Sequence, residues 1–531
     1  MTGKYAITIQ LRYTEMEHRN INNSKRIAKN TLFLTGRMLF GMLISLYTSR
    51  LILQALGIDD YGIYGVVGGL VVMFSIISAS LQAAITRYIT YELGINNPQR
   101  IQTTFSTAFM IQAMLAMTVF VVGETFGLWF LNTQMVIPAE RLFAANIVFQ
   151  ASIFSFMLGL VLMPYHACIN AHEHMNVYAY FSILDNILRL IIVLFIAYAP
   201  WRFDRLIVYS ILLVGVGVVM QILGVSYCRR HFSETKVKWR IDRTLLKSMS
   251  KFAGWNFIGA TSGLLRDQGG NILLNIFFGP AINATRSISS AVAGAVGGFS
   301  SNLMTAVNPQ ITKTYANGDR EYMMTLIFRA SRFGFLTMLF IGLPIFFNTR
   351  YILELWLKTP PPDSSIFVRL ILILSMIETF STPLVTVMLA TGDIKRYQII
   401  VGGITCCTLP ASYLVLKLGA SAYSIFIVSI IASILAMFAR ILLLRSMVGL
   451  QARTFLSQVC LRCIYVSAIC CIFSWIIKMF TPDNICGLGL SVIVESAVSA
   501  LIILYVGLDR EERLFILEKT KRIVSRIIAH D

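Results

Sequence analysis

Four arginines, Arg37, Arg50, Arg189 and Arg266, lie well inside long apolar runs of the chain. An arginine at the centre of a lipid-embedded helix costs about 2.5–3.5 kcal/mol on insertion scales, so four facing lipid would cost on the order of 10 kcal/mol, comparable with the stability of a whole domain. They must therefore face water, a partner or the membrane interface. Guanidinium is always charged, and its planar fork holds two phosphoryl oxygens at once. Several such groups around one hydrated hollow suit a diphosphate better than a neutral sugar.

Arg266 is the sharpest case, being near mid-run, too deep to snorkel easily, and followed by Asp267. Neighbours on a helix point about 100° apart, so neutralisation by Asp267 cannot be assumed. Arg266 is read as lining a cavity, with a structural interhelical ion pair as the alternative. Arg37 and Arg50 share one run but are turned about 140° from each other on a straight helix. Gly36 and Gly41 permit a bend, and Arg50 is close enough to the outer end to snorkel. Arg87 and Arg286 lie nearer the ends of their runs, where an arginine either anchors at the interface or marks a cationic entrance. Arg37, Arg50, Arg266 and Arg286 form the expected substrate-binding set. Asp185 and Arg189 have the favourable acid-to-base i,i+4 order, so an internal pair is preferred to a ligand site. Glu378 stands mid-run in a polar patch with Ser375, Thr379, Ser381 and Thr382, before Pro383. Such an acid either takes up H⁺ or Na⁺ during a transport cycle or is a hydrogen-bonded structural residue. Asp267 and Glu378 are the candidates for ion coupling, while Glu495 lies in the last apolar pair, away from the central path.

The elements that must hold these charges follow from composition. Of 531 residues 56% are hydrophobic and 13% charged, about half the charge of an average soluble domain. Fourteen apolar runs are long enough to cross about 30 Å of hydrocarbon as helices: 31–54, 63–89, 104–122, 142–163, 177–198, 206–227, 252–278, 281–307, 326–347, 366–390, 399–416, 422–444, 459–480 and 487–506. The expected fold is therefore all-α and polytopic. The net charge of +19 is assigned to cytoplasmic loops of a membrane protein and not to nucleic-acid binding. With the N-terminus inside, the outer segments carry seven Lys or Arg (Arg141, Arg202, Arg205, Arg350, Lys358, Lys417, Lys478), against thirty in the inner segments and adjoining span edges. That asymmetry places both termini in the cytoplasm.

The basic stretch 228–251 divides the chain. The expected organisation is a cytoplasmic segment 1–30, an N-lobe 31–227 of six spans, the linker 228–251, a C-lobe 252–444 of six spans, two further spans in 445–507 and a cytoplasmic tail 508–531. A shift of 222 residues lays Gly57 on Gly279, Ser78 on Ser300, Leu81 on Leu303, Ala84 on Ala306, Ile89 on Ile311 and Thr90 on Thr312. Six spans separate the copies, so the lobes keep one orientation and are expected to be related by a pseudo-two-fold axis along the membrane normal, with a cavity between them.

Nine cysteines fall mostly in apolar runs and imply no disulfide framework. Cys460 and Cys463 have metal-motif spacing but no second ligand pair in an aqueous loop. His166, His172 and His174, in YHACINAHEHM, are read as a solvated inner loop, because no cysteine or acid set with an obvious spacing completes a site. No metal or other cofactor is expected. A membrane-embedded glycan enzyme is disfavoured: the longest outer loop, 123–141, offers only Glu124 and Glu140 as acids.

RIAKNTLFLTGRML opening the first run, SRLILQALGIDDYGIYGVVGGL across the first outer turn, TRYITYELG closing the second run and PQITKTYANGD at 309–319 resemble the multidrug, oligosaccharidyl-lipid and polysaccharide exporter superfamily. Within it, the chain is most similar to the bacterial polysaccharide and O-antigen flippases of the Wzx type. That resemblance implies a multi-pass protein of the bacterial inner membrane that carries an undecaprenyl-pyrophosphate-linked oligosaccharide between leaflets by alternating access. The implied partners are this lipid-linked substrate, membrane lipids, and a polysaccharide polymerase with glycosyltransferases. A cation-coupled multidrug antiporter of the same superfamily is the alternative, in which Asp267 and Glu378 would dominate binding. Met16 is a second candidate start, because residues 1–15 show no evident structural role; N-terminal mass spectrometry distinguishes the two.

Overall fold

The computed structural model describes residues 41–74, 98–172, 175–199, 203–238, 263–391, 394–482 and 484–514, with short stretches elsewhere. Every element in these residues is helical. We label the principal helices α1 (Gly41–Leu56), α2 (Ile58–Val72), α3 (Pro98–Val122), α4 (Leu142–Ala171), α5 (Met175–Tyr198), α6 (Arg205–His231), α7 (Gly270–Phe278), α8 (Pro280–Ala316), α9 (Arg320–Phe347), α10 (Ser364–Thr391), α11 (Ile394–Lys417), α12 (Ser424–Val448), α13 (Arg462–Phe480) and α14 (Ile485–Ile502). Among the described residues ten helical segments are long and apolar enough to cross a bilayer, and up to eleven if α1 and α2, which meet at 119°, are counted as one. The expected fourteen is thus not reached on these residues alone. Most of 252–264, the first half of the seventh run, falls outside them, and α8 is diluted by serine, glycine and asparagine.

Two boundaries differ from the sequence reading. The loop expected over 123–141 is largely helix, because a widened turn at Gly123–Gly127 carries α3 on into Leu128–Thr133. α4 does not stop before Pro164 but runs through it to Ala171, which places His166 in a helix and not in a loop. A proline removes one helical hydrogen bond, yet where water is scarce the remaining backbone groups are best satisfied by continuing the helix.

Gly57 and Gly279, superposed by the 222-residue shift, share one backbone conformation: φ 85°, ψ 174° and φ 79°, ψ −175°. Only glycine adopts it without strain, and in both places it reverses the chain between consecutive helices. Ile89 and Ile311, another superposed pair, are both fully buried. The other first-copy positions of that comparison, Ser78, Leu81, Ala84 and Thr90, lie outside the described residues.

α2 and α8 pack closely. A Cβ added to Gly62 would stand 1.9 Å from the Pro280 carbonyl oxygen, and one at Gly65 would stand 2.6 Å from Ser287 Oγ. Small residues are what allow helices to approach this closely in lipid, where apolar burial supplies no drive between them. Around this contact, Leu51, Ile52, Tyr61, Ala284, Ile288, Leu353 and Val368 share one buried cluster, so residues on both sides of the 228–251 stretch build a common core.

Charge clamps tie helix ends. Arg141 donates to Asp60 through Nε (2.7 Å) and to Asp204 (3.2 Å), with closer contacts to both carboxylates, joining the starts of α2, α4 and α6. Asp204 also caps α6 by accepting from the Leu206 and Ile207 amides. At the chain's far end, buried Arg332 of α9 donates to Asp509 and Glu512 (2.6 Å each), which follow α14. Burial pushes the Asp509 carboxyl up, but hydrogen bonds from Arg462 and Arg332 outweigh it and hold it below its ordinary value.

Burial likewise raises Asp204, but Arg141 and the capped amides leave it net below the ordinary carboxylate value. A carboxylate depressed in the folded state stabilises above its unfolded pKa, about 4, and loses that contribution as pH falls through its lower folded value. Arg141→Ala leaves Asp60 and Asp204 facing one another and should lower stability by about 1–3 kcal/mol near neutral pH. Thermal unfolding of the detergent-solubilised protein should show the wild-type advantage shrinking below pH 4; an advantage unchanged down to pH 2 contradicts the clamp.

Candidate functional site

α2, α4, α6, α8, α10 and α12 enclose a cavity of about 880 Å³, with residues from both sides of the 228–251 stretch on its wall. Its size lies within the range of small-molecule sites. Three guanidinium groups reach it, Arg189, Arg266 and Arg286, and two carboxylates, Asp267 and Glu378. The remaining wall is built largely of glycine, serine and apolar side chains.

Arg266 lies in a widened helical turn, Leu265–Gly269, ahead of α7. Its Nη1 donates to Glu378 Oε1 at 2.6 Å, and its Nε donates to Asp267 Oδ1 at 3.0 Å. The second bond settles what the 100° step left open: in this widened turn Arg266 reaches the carboxylate of the next residue. Arg266 is therefore both an ion-paired residue and a cavity wall. Glu378 comes from α10 and is 40% exposed, Arg266 only 18%, so the pair is wetted from the acid's side.

Arg286, on α8, is held differently. It donates to the Asp267 carbonyl oxygen (2.8 Å), lies 5.3 Å from the centre of the Phe426 ring, and packs over the Gly270 backbone. No carboxylate among the described residues lies within 4 Å of it. Its direct contacts are thus a carbonyl dipole and an aromatic face, with the Asp267 carboxylate acting on it only at longer range. Arg189 makes the expected pair with Asp185 (2.8 Å), and its side chain is at the same time part of the cavity wall.

Of the expected cationic set, the structure brings Arg266 and Arg286 together. Arg50 is half-buried on α1 and does not line the cavity. Arg37 and Arg87 lie outside the described residues, as does His174. Glu495 is away from the cavity, fully buried and bonded to Ser491 and to Asn348 (3.1 Å), which locks α14 onto the end of α9.

Two features escaped the sequence reading. Arg332, also inside an apolar run, finds its partners about 180 residues later, and the only local signal is the acidic DREE segment after α14. His172 meets Glu234 at 2.6 Å beside Cys168, so an acid and a cysteine do join this histidine despite having no recognisable spacing.

No family model matches the chain, and no curated protein matches it. Solved structures do. The lipid II flippase MurJ in an inward closed conformation matches over 89% of this chain and 98% of its own, with a TM-score of 0.70 and 12% identity. The fold is that of the MOP-superfamily transporters. An inward-facing multidrug resistance MATE family transporter of that superfamily covers 77% of this chain and 94% of its own, at TM-score 0.67 and 11% identity. A MOP superfamily transporter from Pyrococcus furiosus covers 79% and 95%, at 0.57 and 12%.

Because Glu378 is screened by cavity water, its coupling to Arg266 should be modest, about 1 kcal/mol in a double-mutant cycle of Arg266→Gln and Glu378→Gln read by thermal stability. A coupling indistinguishable from zero would mean that the two charges do not meet.

Proposed function

We propose that this chain is a multi-pass transporter of the bacterial inner membrane that flips an undecaprenyl-pyrophosphate-linked oligosaccharide, an O-antigen or capsular repeat unit, by alternating access, with both termini in the cytoplasm. The observation that carries this reading is Arg286: a guanidinium at the wall of a cavity between the two proposed lobes, with no carboxylate of its own among the described residues. A diphosphate in the cavity would pair with Arg286 and compete with Glu378 and Asp267 for Arg266. Asp267 and Glu378, the two carboxylates that share Arg266, are the proposed points of coupling to an H⁺ or Na⁺ gradient. No further cofactor enters this scheme. A second groove of about 710 Å³ between α9, α10, α12 and α13, lined almost wholly by apolar side chains, is suited to a prenyl tail. The MurJ likeness supports a lipid-linked cargo, delivered by glycosyltransferases and consumed by a polysaccharide polymerase.

A second reading, a cation-coupled multidrug antiporter, is favoured by Asp267 and Glu378 reaching the same cavity. Reconstitution into liposomes with a fluorescent prenyl-pyrophosphate glycan, imposing pH and Na⁺ gradients separately, tests the first reading. Arg286→Ala and Arg266→Ala should each slow flipping tenfold or more while the protein remains in the membrane. Full flipping in both variants removes the cationic site from the mechanism. Loss of dye efflux on deletion of the protein, with glycan flipping absent from the liposomes, establishes the antiporter instead.

A further inference from the structure

Away from the cavity, the end of α4 and the turn after α6 bring three side chains of different chemistry to one point. Cys168 and His172 are four residues apart on consecutive turns, the helical hydrogen bonding of α4 extending to the His172 amide, which donates to the Cys168 carbonyl at 3.0 Å. Glu234 arrives from the short turn Ser233–Thr235. The Cys168 Sγ, His172 ring nitrogen and Glu234 carboxylate oxygen all lie within 4.8 Å of one another, with Sγ to Oε1 at 3.9 Å and Nε2 to Oε1 at 2.6 Å. A tetrahedral zinc with bonds of about 2.0–2.3 Å needs its ligand atoms about 3.3–3.6 Å apart, so side-chain adjustments of about an ångström would seat an ion.

The surroundings also fit a ligand set. Cys168 is fully buried, and the side chains of Glu234 and His172 are 10% and 24% exposed. The His172 ring is stacked on Phe232 with centroids 4.1 Å apart, which fixes its orientation. Sulfur, imidazole and one carboxylate form a borderline-soft set that suits zinc or cobalt and not calcium or magnesium. The thiol is turned onto the same carboxylate oxygen that meets His172, as a weak donor, so all three groups converge on one point.

We infer that Cys168, His172 and Glu234 form a three-residue binding site for a zinc-type divalent cation, with water completing the tetrahedron. Loading releases the thiol proton, and any proton shared by His172 and Glu234, to solvent. The site staples the start of the 228–251 stretch to the end of α4. That stretch is already tied to α3 where Lys238 donates its amide to Ser106 Oγ and Gln102 donates to the Lys236 carbonyl. Metal would thus set how firmly the linker is held, whatever the transporter carries.

The test uses the purified full-length protein in detergent, stripped with EDTA and titrated with Zn²⁺ against a chromophoric chelator, and separately with Co²⁺. One equivalent should bind at micromolar affinity or tighter, and Co²⁺ should give a thiolate charge-transfer band. Cys168→Ser should abolish that band. His172→Ala and Glu234→Gln should each weaken Zn²⁺ binding about tenfold or more, the latter keeping a hydrogen-bonding side chain so that folding is preserved. Absence of saturable binding, or binding that all three variants leave unchanged, overturns the site and leaves a histidine–carboxylate pair beside a buried thiol.

Discussion

A guanidinium sunk in hydrocarbon must be answered by something, and the way this chain answers each of its buried arginines organises the structure. Arg332 is answered by acids brought from after the last helix, Arg189 by an acid one turn away, and Arg266 by two carboxylates, one of them its own neighbour. Arg286 receives a carbonyl oxygen and an aromatic face. Removing a charge from water costs several kcal/mol, which a well-placed partner repays and an empty pocket does not. Arg332 is therefore a fastener between helices, whereas Arg189, Arg266 and Arg286 keep a face on the cavity wall as well as their partners.

The positions of the charges were legible in the sequence, because an arginine inside an apolar run stands out whatever the fold. Apart from the i,i+4 pair of Asp185 and Arg189, their partners were not. Glu378 lies 112 residues from Arg266, and no local pattern predicts a meeting across that separation. The Asp267 contact was not legible for a geometric reason: the angular step of an ordinary α-helix does not hold through Leu265–Gly269, where the helix is widened. Hydropathy likewise located the helices but misplaced ends, because Pro164 and the glycines at 123 and 127 look like stops in sequence while the backbone's need for internal hydrogen bonds carries the helix through them.

The histidine-rich segment shows the same limit from another side. Metal-ligand motifs are recognised by spacing, and Cys168, His172 and Glu234 come from two elements that only the packing of α4 against α6 and the following turn brings together. Burial of Phe105, Tyr165, Cys228 and Phe232 in one cluster sets that packing, so the convergence of the three side chains is a product of the core and not of any local signature.

Where α2 and α8 touch, main chain rests on main chain: there is no side chain between Gly62 and the carbonyl of Pro280. Interfaces filled by long side chains can yield by changing rotamers, but the backbone contact at Gly62 offers no such give. It either stays seated or comes apart. This seam therefore joins the two sides of the cavity by a contact that no rotamer change can loosen.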